Sequence, residues 1–157
     1  MSTTSGETSL GKLLSSLTLV LQEGTFVFLT IPHEQFTAPF LFPLDDIQLL
    51  FREVEGVTLV IRKELADKHS LPYQYPSRMI TCNVHSSLEA VGFMAHLSTK
   101  LAGQGLSVNP VSGYFHDHLF VPVEKAVVAM KVLEKVREDA ERATTSTTTT
   151  TSATTTK

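Results

Sequence analysis

The sequence predicts an α+β fold of the ferredoxin-like βαββαβ type, in which a mixed, mainly antiparallel sheet carries helices on one face. The first observation is that apolar residues in 78–138 change their period in the order strand, helix, strand, strand, helix. The second is that residues 9–71 contain four further strand candidates, separated by turn signals. A hydrophobic content of 42% and a charged content of 18% are typical of globular domains.

The first part of the chain consists of short predicted elements. Leucines recur at helical spacing after Ser9, which predicts a short helix there. Residues 32–46 are rich in proline and phenylalanine, so we expect an ordered loop, followed by one helical turn at 45–49. The expected strands are 17–22 and 25–31, which form a hairpin around Glu23-Gly24, and 51–55 and 57–62 on either side of Gly56, with an amphipathic helix at 63–69.

The second part of the chain contains a long predicted helix. Residues 78–84 are expected to be a strand. Ser86 followed by Glu89 then matches a capping box, in which each side chain bonds to the backbone amide of the other residue. This signature predicts a helix over Ser87–Ala102, ended by the glycines that follow it. Its expected inward stripe consists of Leu88, Val91, Met94, Ala95, Ser98, Leu101 and Ala102.

Two strands and a helix complete this part of the chain. Strands are expected at 106–112 and 116–121, and Pro110 indicates that the first of them is an edge strand or contains a bulge. The last helix is predicted to begin at Pro122 and to end near Glu138. Its expected inward residues are Ala126, Ala129, Met130, Leu133 and Val136.

The predicted organisation is two successive halves and a tail. We expect one half at 9–71 and the other at 72–140, because prolines and tyrosines stiffen the segment between them. Residues 143–157 contain ten threonines and no large apolar residue. Such a segment cannot bury enough apolar surface to offset the entropy lost on ordering, so 141–157 is predicted to be a disordered tail.

Composition excludes several classes of function. The net charge is −3 and the basic residues are scattered, so no nucleic-acid partner is expected. The one cysteine, Cys82, excludes an internal disulfide and is predicted to be a buried thiol. The polar first residues lack a signal-peptide pattern, and no apolar run reaches the roughly 20 residues that span a bilayer. The sequence therefore predicts a soluble, cytoplasmic protein without a membrane partner.

The most informative polar segment is Asn83-Val84-His85-Ser86-Ser87, at the predicted start of the long helix. A helix N-terminus leaves backbone amides free and carries partial positive charge, so it attracts a carboxylate or a phosphate. The side chains of Asn83, Ser86 and Ser87 add neutral hydrogen-bonding groups that suit an amino acid. Ser86 could instead only cap its own helix, and the two roles are compatible because a cap uses one or two donors.

A pair of histidines provides an alternative. His116 and His118 lie two residues apart on a predicted strand, so they would share one face and could form half of a metal site. A zinc site needs a third protein ligand, which His85 would have to supply, since Asp117 points to the other face. The plainer interpretation is that both histidines make structural hydrogen bonds. A metal-dependent enzyme therefore stays an alternative, although the sequence contains none of the common catalytic motifs.

A third interpretation is a purely structural subunit that pairs with itself or with another protein. Phe93 falls on the polar face of the predicted long helix, where a large apolar ring would suit a partner contact. The strand that contains Pro110 would offer an edge to a neighbouring chain. A single surface phenylalanine is also ordinary in a monomer.

Three segments, Phe51–Val60, Val84–Gly92 and Gly113–Pro122, resemble a small family of stand-alone ACT-like proteins. That family is similar to CASTOR-type ACT domains and to the regulatory ACT domains of aspartokinase. The resemblance covers residues 9–138 and implies two ACT-like halves that bind a small ligand, such as an amino acid, near a strand-to-helix loop. It also implies that domains pair through sheets or helices, so a homodimer or a partner enzyme is expected.

The resemblance further assigns candidate ligand-binding residues by their position in the motifs. No catalytic domain is attached, so it implies a regulatory module that is not an enzyme and needs no cofactor or metal. The candidates are Asn83, His85, Ser86 and Ser87 in the loop, and Gly113, His116, Asp117 and His118 in the facing hairpin.

Overall fold

The computed structural model describes residues 6–37 and 41–151, with side chains described up to residue 146. Part of the predicted loop at 32–46 and the last six residues of the predicted tail therefore lie outside the described residues. Within the described part of the chain, no helix is both long enough and apolar enough to span a bilayer.

The predicted α+β class is confirmed. The predicted strands at 25–31 and 57–62 and the helix at 63–69 lie within one residue of observed elements. In chain order the elements are α1 Leu10–Ser15, β1 Leu19–Leu21, β2 Phe26–Ile31, β3 Ile47–Arg52, β4 Val57–Arg62, α2 Lys63–Lys68, β5 Gln74–Cys82, α3 Phe93–Ala102, β6 Asn109–Ser112, β7 Asp117–Pro122 and α4 Ala126–Thr151.

The chain divides into two compact units. One consists of Met1–Leu21 and Ile80–Lys157, and the other of Gln22–Met79. These units overlap the predicted halves, 9–71 and 72–140, without coinciding with them. The difference arises because α1 and β1 pack with elements from the later part of the chain: α1 contacts α3 and α4, and β1 pairs with the last residues of β5.

The Gln22–Met79 unit has the strand order β3–β4–β2–β5. Its pairs are antiparallel, and β3 begins at Ile47, opposite Ile61 of β4. The predicted helical turn at 45–49 is confirmed only at its start: a 3₁₀ turn spans Leu44–Asp46, and Ile47 and Leu49 already face inward from a strand. The buried core of this unit consists of Val27, Leu29, Phe42, Val57, Leu59, Ile61 and Ala66.

The predicted hairpin of the first two strands is also wrong. β1 pairs antiparallel with β5, with Leu19 opposite Cys82, whereas β2 pairs with β4 and with the beginning of β5. β5 has nine residues and begins at Gln74, four residues before the predicted start. That length allows β5 to supply partners to β1 and to β2 in turn, so the two early strands need not pair with each other.

The predicted long helix begins six residues later than expected. α3 starts at Phe93, and its N-cap is Gly92, whose φ of 91° lies in the left-handed region. Residues 83–92 form a loop, so the predicted capping box at Ser86 is wrong. The predicted apolar stripe is largely wrong, since Leu88 and Val91 are 67% and 84% exposed, and Ala95 and Ala102 are exposed as well. The buried residues of α3 are Phe93, Leu97 and Leu101. Phe93, expected on the surface, is buried, which removes that argument for a structural subunit.

The hairpin of β6 and β7 is largely as predicted. In its unit, the strand order β5–β7–β6 places β6 at an edge, which confirms the interpretation of Pro110. The turn closes with a 2.9 Å hydrogen bond from the Gly113 amide to the His116 carbonyl oxygen. β7 begins at Asp117, so His116 belongs to the turn and His118 to the strand. The prediction of one strand carrying both histidines is therefore wrong.

The predicted inward face of the last helix is confirmed. Ala126, Ala129, Leu133 and Val136 are buried in the core of the larger unit, and Met130 packs against it. Cys82 lies in the same core, and burial raises the pKa of its thiol to about 12, with the negative charge of Asp117 contributing. The predicted burial of this thiol is confirmed.

α4 extends beyond its predicted end near Glu138 and has helical backbone up to Thr151, where the sequence predicts disorder. The extension contains charged pairs one helical turn apart, such as Lys135 with Asp139 at 2.9 Å. Beyond them, Thr144 Oγ1 donates to the carbonyl oxygen of Ala140. All described side chains in 141–146 are exposed, so this part of the helix contributes no core.

Candidate functional site

Asp117 is the centre of the candidate site. It is the first residue of β7, and it is only 4% exposed. Ser86 Oγ donates to its Oδ2 at 2.8 Å, and Ser112 Oγ donates to its Oδ1 at 2.5 Å. Hydrogen bonds to a carboxylate are stronger than neutral ones, so these two contacts offset part of the cost of burying the charge. They also fix Ser86, in the loop, against the β6–β7 hairpin.

The predicted receptor of unpaired amides at 83–87 is wrong, because other parts of the same unit accept most of these hydrogen bonds. The loop has no helical backbone, so its amides do not point in one direction as they would in a first helical turn. Each of four backbone amides donates to a backbone carbonyl oxygen: Asn83 to Thr18 at 2.7 Å, Val84 to Cys82 at 2.9 Å, Ser86 to Val84 at 2.9 Å and Ser87 to Glu7 at 3.0 Å.

A pocket of about 200 Å³ nevertheless opens beside Ser86 and Ser87. The first backbone hydrogen bond of α3 runs from the His96 amide to the Gly92 carbonyl oxygen at 2.8 Å. The preceding amides of the first turn therefore have no acceptor within the helix. The pocket is lined by Ser86, Ser87, Leu88, Ala90, Gly92, Phe93, Met94, Ala95, Ser112 and Asp117.

The lining combines one negative charge with the positive end of a helix. Asp117 is the only charged side chain in it, and the start of α3 contributes partial positive charge and backbone donors. The remaining polar groups are the hydroxyls of Ser86, Ser87 and Ser112, of which Ser87 Oγ accepts from the Glu89 amide at 3.2 Å. The pocket can therefore hold a small molecule that carries both charges.

Several predicted site residues do not line this pocket. Asn83 is exposed, and the ring of His85 packs at 5.7 Å from that of Phe115. His116 Nδ1 donates to the Val84 carbonyl oxygen at 3.4 Å, which holds the turn against the loop. The three predicted residues that do line the pocket are Ser86, Ser87 and Asp117. The five predicted residues that do not line it are Asn83, His85, Gly113, His116 and His118.

The sequence does not indicate seven of the pocket residues as site residues: Leu88, Ala90, Gly92, Phe93, Met94, Ala95 and Ser112. Two signals could have indicated them. Apolar residues at 93, 97 and 101 fit a helix that starts after Gly92 as well as one that starts earlier. Ser112 lies opposite Asp117 in the hairpin once the turn is placed at Gly113–His116.

The histidines do not form a metal site. Among the residues that the structure describes, no group of three or more histidine, cysteine, aspartate or glutamate side chains is arranged to hold a metal ion. His118 Nδ1 lies 3.1 Å from Thr81 Oγ1, and His116 bonds to a backbone carbonyl. The plainer interpretation, structural hydrogen bonding, describes both.

Acidification should destabilise the fold through His118. Burial lowers its pKa below the usual 6.5, the neighbouring His116 lowers it further, and Asp117 partly opposes both. Between the folded-state pKa and about 6.5, the unfolded chain binds more protons than the folded chain. The contribution of His118 to the free energy of unfolding is therefore complete above pH 6.5, and it is lost as the pH falls through the folded-state pKa of this residue.

Urea denaturation at several values between pH 8 and pH 5 tests this expectation. His118→Asn keeps a polar group near Thr81 but does not titrate in this range, so its free energy of unfolding should fall less steeply with acidification than that of the wild type. Parallel curves for the two proteins would show that His118 makes no such contribution.

The fold places the chain among small α+β domains with an antiparallel sheet. Two models of the ACT domain match the chain, one over residues 5–78 and the other over residues 74–135. The chain therefore belongs to the ACT-domain family, in tandem arrangement, as its motifs predict. ACT domains typically bind small molecules and dimerise.

Solved structures share this fold. VC0802 from Vibrio cholerae, described as a protein of unknown function and possible transport protein, is 38% identical with a TM-score of 0.67, over 82% of this chain and 95% of that chain. The regulatory subunit of aspartate kinase from Thermus flavus is 10% identical with a TM-score of 0.50, and the match covers 76% of this chain and 95% of that subunit. A chain from the structure of the aspartokinase α and β subunits is 9% identical with a TM-score of 0.54, and the match covers 77% of this chain and 98% of that chain. No curated protein matches the chain.

Proposed function

We propose that this protein is a regulatory ACT module that binds an amino acid in the pocket between the Ser86–Ser87 loop and the start of α3. The observation that carries the proposal is that one small pocket is lined both by the buried Asp117 carboxylate and by the first turn of α3, whose amides have no acceptor within the helix. The regulatory role is supported by the family and by the aspartate kinase regulatory subunit among its structural neighbours.

An amino acid matches the charges of this pocket. Its ammonium group is complementary to Asp117, and its carboxylate is complementary to the amides of the first turn of α3. The pocket of about 200 Å³ is smaller than drug-sized pockets of about 300–1,000 Å³. Its apolar lining includes Ala90 and Met94. We therefore expect a small, uncharged side chain on the ligand.

The serines of the pocket do not suit covalent catalysis. A serine nucleophile requires a general base, most often histidine, within hydrogen-bond reach. Ser86 and Ser112 both donate to the Asp117 carboxylate instead, and no histidine lines the pocket. This arrangement supports binding without chemical conversion of the ligand.

A thermal-shift screen of the twenty amino acids tests the proposal. Ligand at 100 times its dissociation constant should add about 2.7 kcal/mol to the free energy of unfolding, which raises Tm by about 5–10 °C for a chain of this size. Small, uncharged amino acids should give the largest shifts, and lysine and glutamate the smallest.

Two variants identify the pocket as the origin of a shift. Asp117→Asn removes the negative charge and should abolish the shift, while Asp45→Asn makes the same change at an exposed position in the other unit and should leave it intact. Absence of a shift with every amino acid, or an undiminished shift in Asp117→Asn, would contradict the proposal.

A further inference from the structure

We propose that Gly6 and Glu7, here called the strap, are positioning residues that hold the ligand-binding loop in its binding conformation. This inference rests on the proposed function, because it concerns the same pocket. The strap lies in the same compact unit as the loop and the pocket. It does not line the pocket itself, so its effect on a ligand acts through the residues it contacts.

Backbone hydrogen bonds join the strap to the loop on both sides of Ser86. The Glu7 amide donates to the His85 carbonyl oxygen at 3.0 Å, and the Ser87 amide donates to the Glu7 carbonyl oxygen at 3.0 Å. Together they form a short parallel bridge between Glu7 and Ser86. The residue they enclose, Ser86, is the one that bonds to Asp117. The strap therefore fixes the backbone from which that contact is made.

Gly6 makes a contact that a side chain would prevent. A Cβ atom at this position would lie 2.5 Å from the Ser87 amide nitrogen and 2.6 Å from the Ser86 carbonyl carbon. Both are backbone atoms, so they cannot move aside as a flexible side chain could. By contrast, a Cβ atom at Gly11, in α1, would meet nothing within 4 Å. The loop can therefore approach the chain this closely only if residue 6 has no side chain, whereas residue 11 could carry one without a clash.

The strap is anchored at its other end to α1. Glu7 Oε1 accepts hydrogen bonds from the Thr8 and Ser9 amides at 2.9 and 2.8 Å, and its Oε2 lies 3.5 Å from Lys12 Nζ. α1 is fixed in the core by the buried Leu13 and Leu14. The Ser86–Ser87 loop is therefore tied to the core through the strap as well as through Asp117.

This connection couples ligand binding to docking of the strap. A ligand in the pocket lies against Ser86 and Ser87, whose positions the strap fixes, so it binds the strap-docked state more tightly. By linkage, the ligand must then favour docking of the strap by the same factor. The fraction of molecules with a docked strap therefore depends on whether the pocket is occupied. Through this change at Gly6 and Glu7 the module could transmit ligand binding to a partner.

Residue-resolved amide hydrogen exchange, measured by NMR on the full chain, tests the strap without a ligand. In Gly6→Ala the Ser87 amide should exchange at least about tenfold faster than in the wild type, as expected for loss of hydrogen bonds of ordinary strength. The matched variant Gly11→Ala should show wild-type exchange at Ser87. Unchanged exchange in Gly6→Ala would overturn the inference.

The second arm uses the amino acid that gives the largest thermal shift. Its Kd should rise about tenfold in Gly6→Ala and stay at the wild-type value in Gly11→Ala, and saturating the wild type should slow exchange of the Glu7 amide. Faster Ser87 exchange with an unchanged Kd would overturn the positioning role and leave the proposed function intact. If no amino acid binds the wild type, the proposed function fails, and the exchange at Ser87 alone decides whether the strap holds the loop.

Discussion

Phe93→Ala should lower the free energy of unfolding by about 3–5 kcal/mol, the usual cost of removing a buried phenylalanine ring. Phe93 is 2% exposed and belongs to the core that also contains Leu97 and Leu101 of α3. The substitution leaves a cavity at the first turn of the helix, which is also a wall of the pocket. Urea denaturation followed by circular dichroism measures the change.

The matched control is Leu88→Ala, five residues earlier in the chain. Leu88 is 67% exposed, so its truncation should change the free energy of unfolding by no more than about 0.5 kcal/mol. If a helix began at Ser87, as the capping pattern predicts, the effects would be reversed. Leu88→Ala would then lower the free energy of unfolding strongly, and Phe93→Ala would hardly change it. The comparison therefore tests directly where α3 begins.

Asp117→Ala should lower the free energy of unfolding by about 2–3 kcal/mol. The substitution removes the acceptor of two charge-assisted hydrogen bonds and leaves the hydroxyl of the half-buried Ser86 without its partner, whereas the exposed Ser112 can bond to water. The loss should be largest in the Ser86–Ser87 loop. Chemical denaturation gives the total, and amide exchange in the loop shows where the structure loosens.

Asp139→Ala is a suitable control because Asp139 also has two partners, Lys135 at 2.9 Å and Arg142 at 2.6 Å, but on an exposed helix face. Exposed ion pairs contribute little, so the change should stay below about 1 kcal/mol. Equal losses in the two variants would mean that burial of Asp117 does not strengthen its hydrogen bonds.

The sequence predicts elements well where neighbouring residues decide them. β4 and the buried face of α4 follow from apolar residues at spacings of two and of three to four. β1 could not be assigned its partner in this way, because pairing with β5 joins Leu19 to Cys82 across more than sixty positions, about which local spacing carries no information. Helical backbone in the threonine-rich segment depends on bonds to preceding carbonyls rather than on burial.

The candidate site is predictable only in part for the same reason. The motifs indicate Asp117, Ser86 and Ser87, but the local pattern assigns Ser86 to a helix cap, whereas its hydroxyl bonds to a residue 31 positions away. A serine followed by a glutamate three residues later satisfies the local pattern whether or not a helix forms. The left-handed backbone of Gly92 decides where α3 begins, and glycine allows that conformation without requiring it.

The burial of Cys82 has a practical consequence for spectroscopy. A fully buried thiol with a pKa of about 12 reacts very slowly with alkylating reagents while the protein is folded. A cysteine introduced on the surface could therefore be labelled selectively with a fluorophore, without first removing the natural one. Labelling of Cys82 itself would then record transient opening of the core, so one reagent could follow both local motion and rare unfolding in the same molecule.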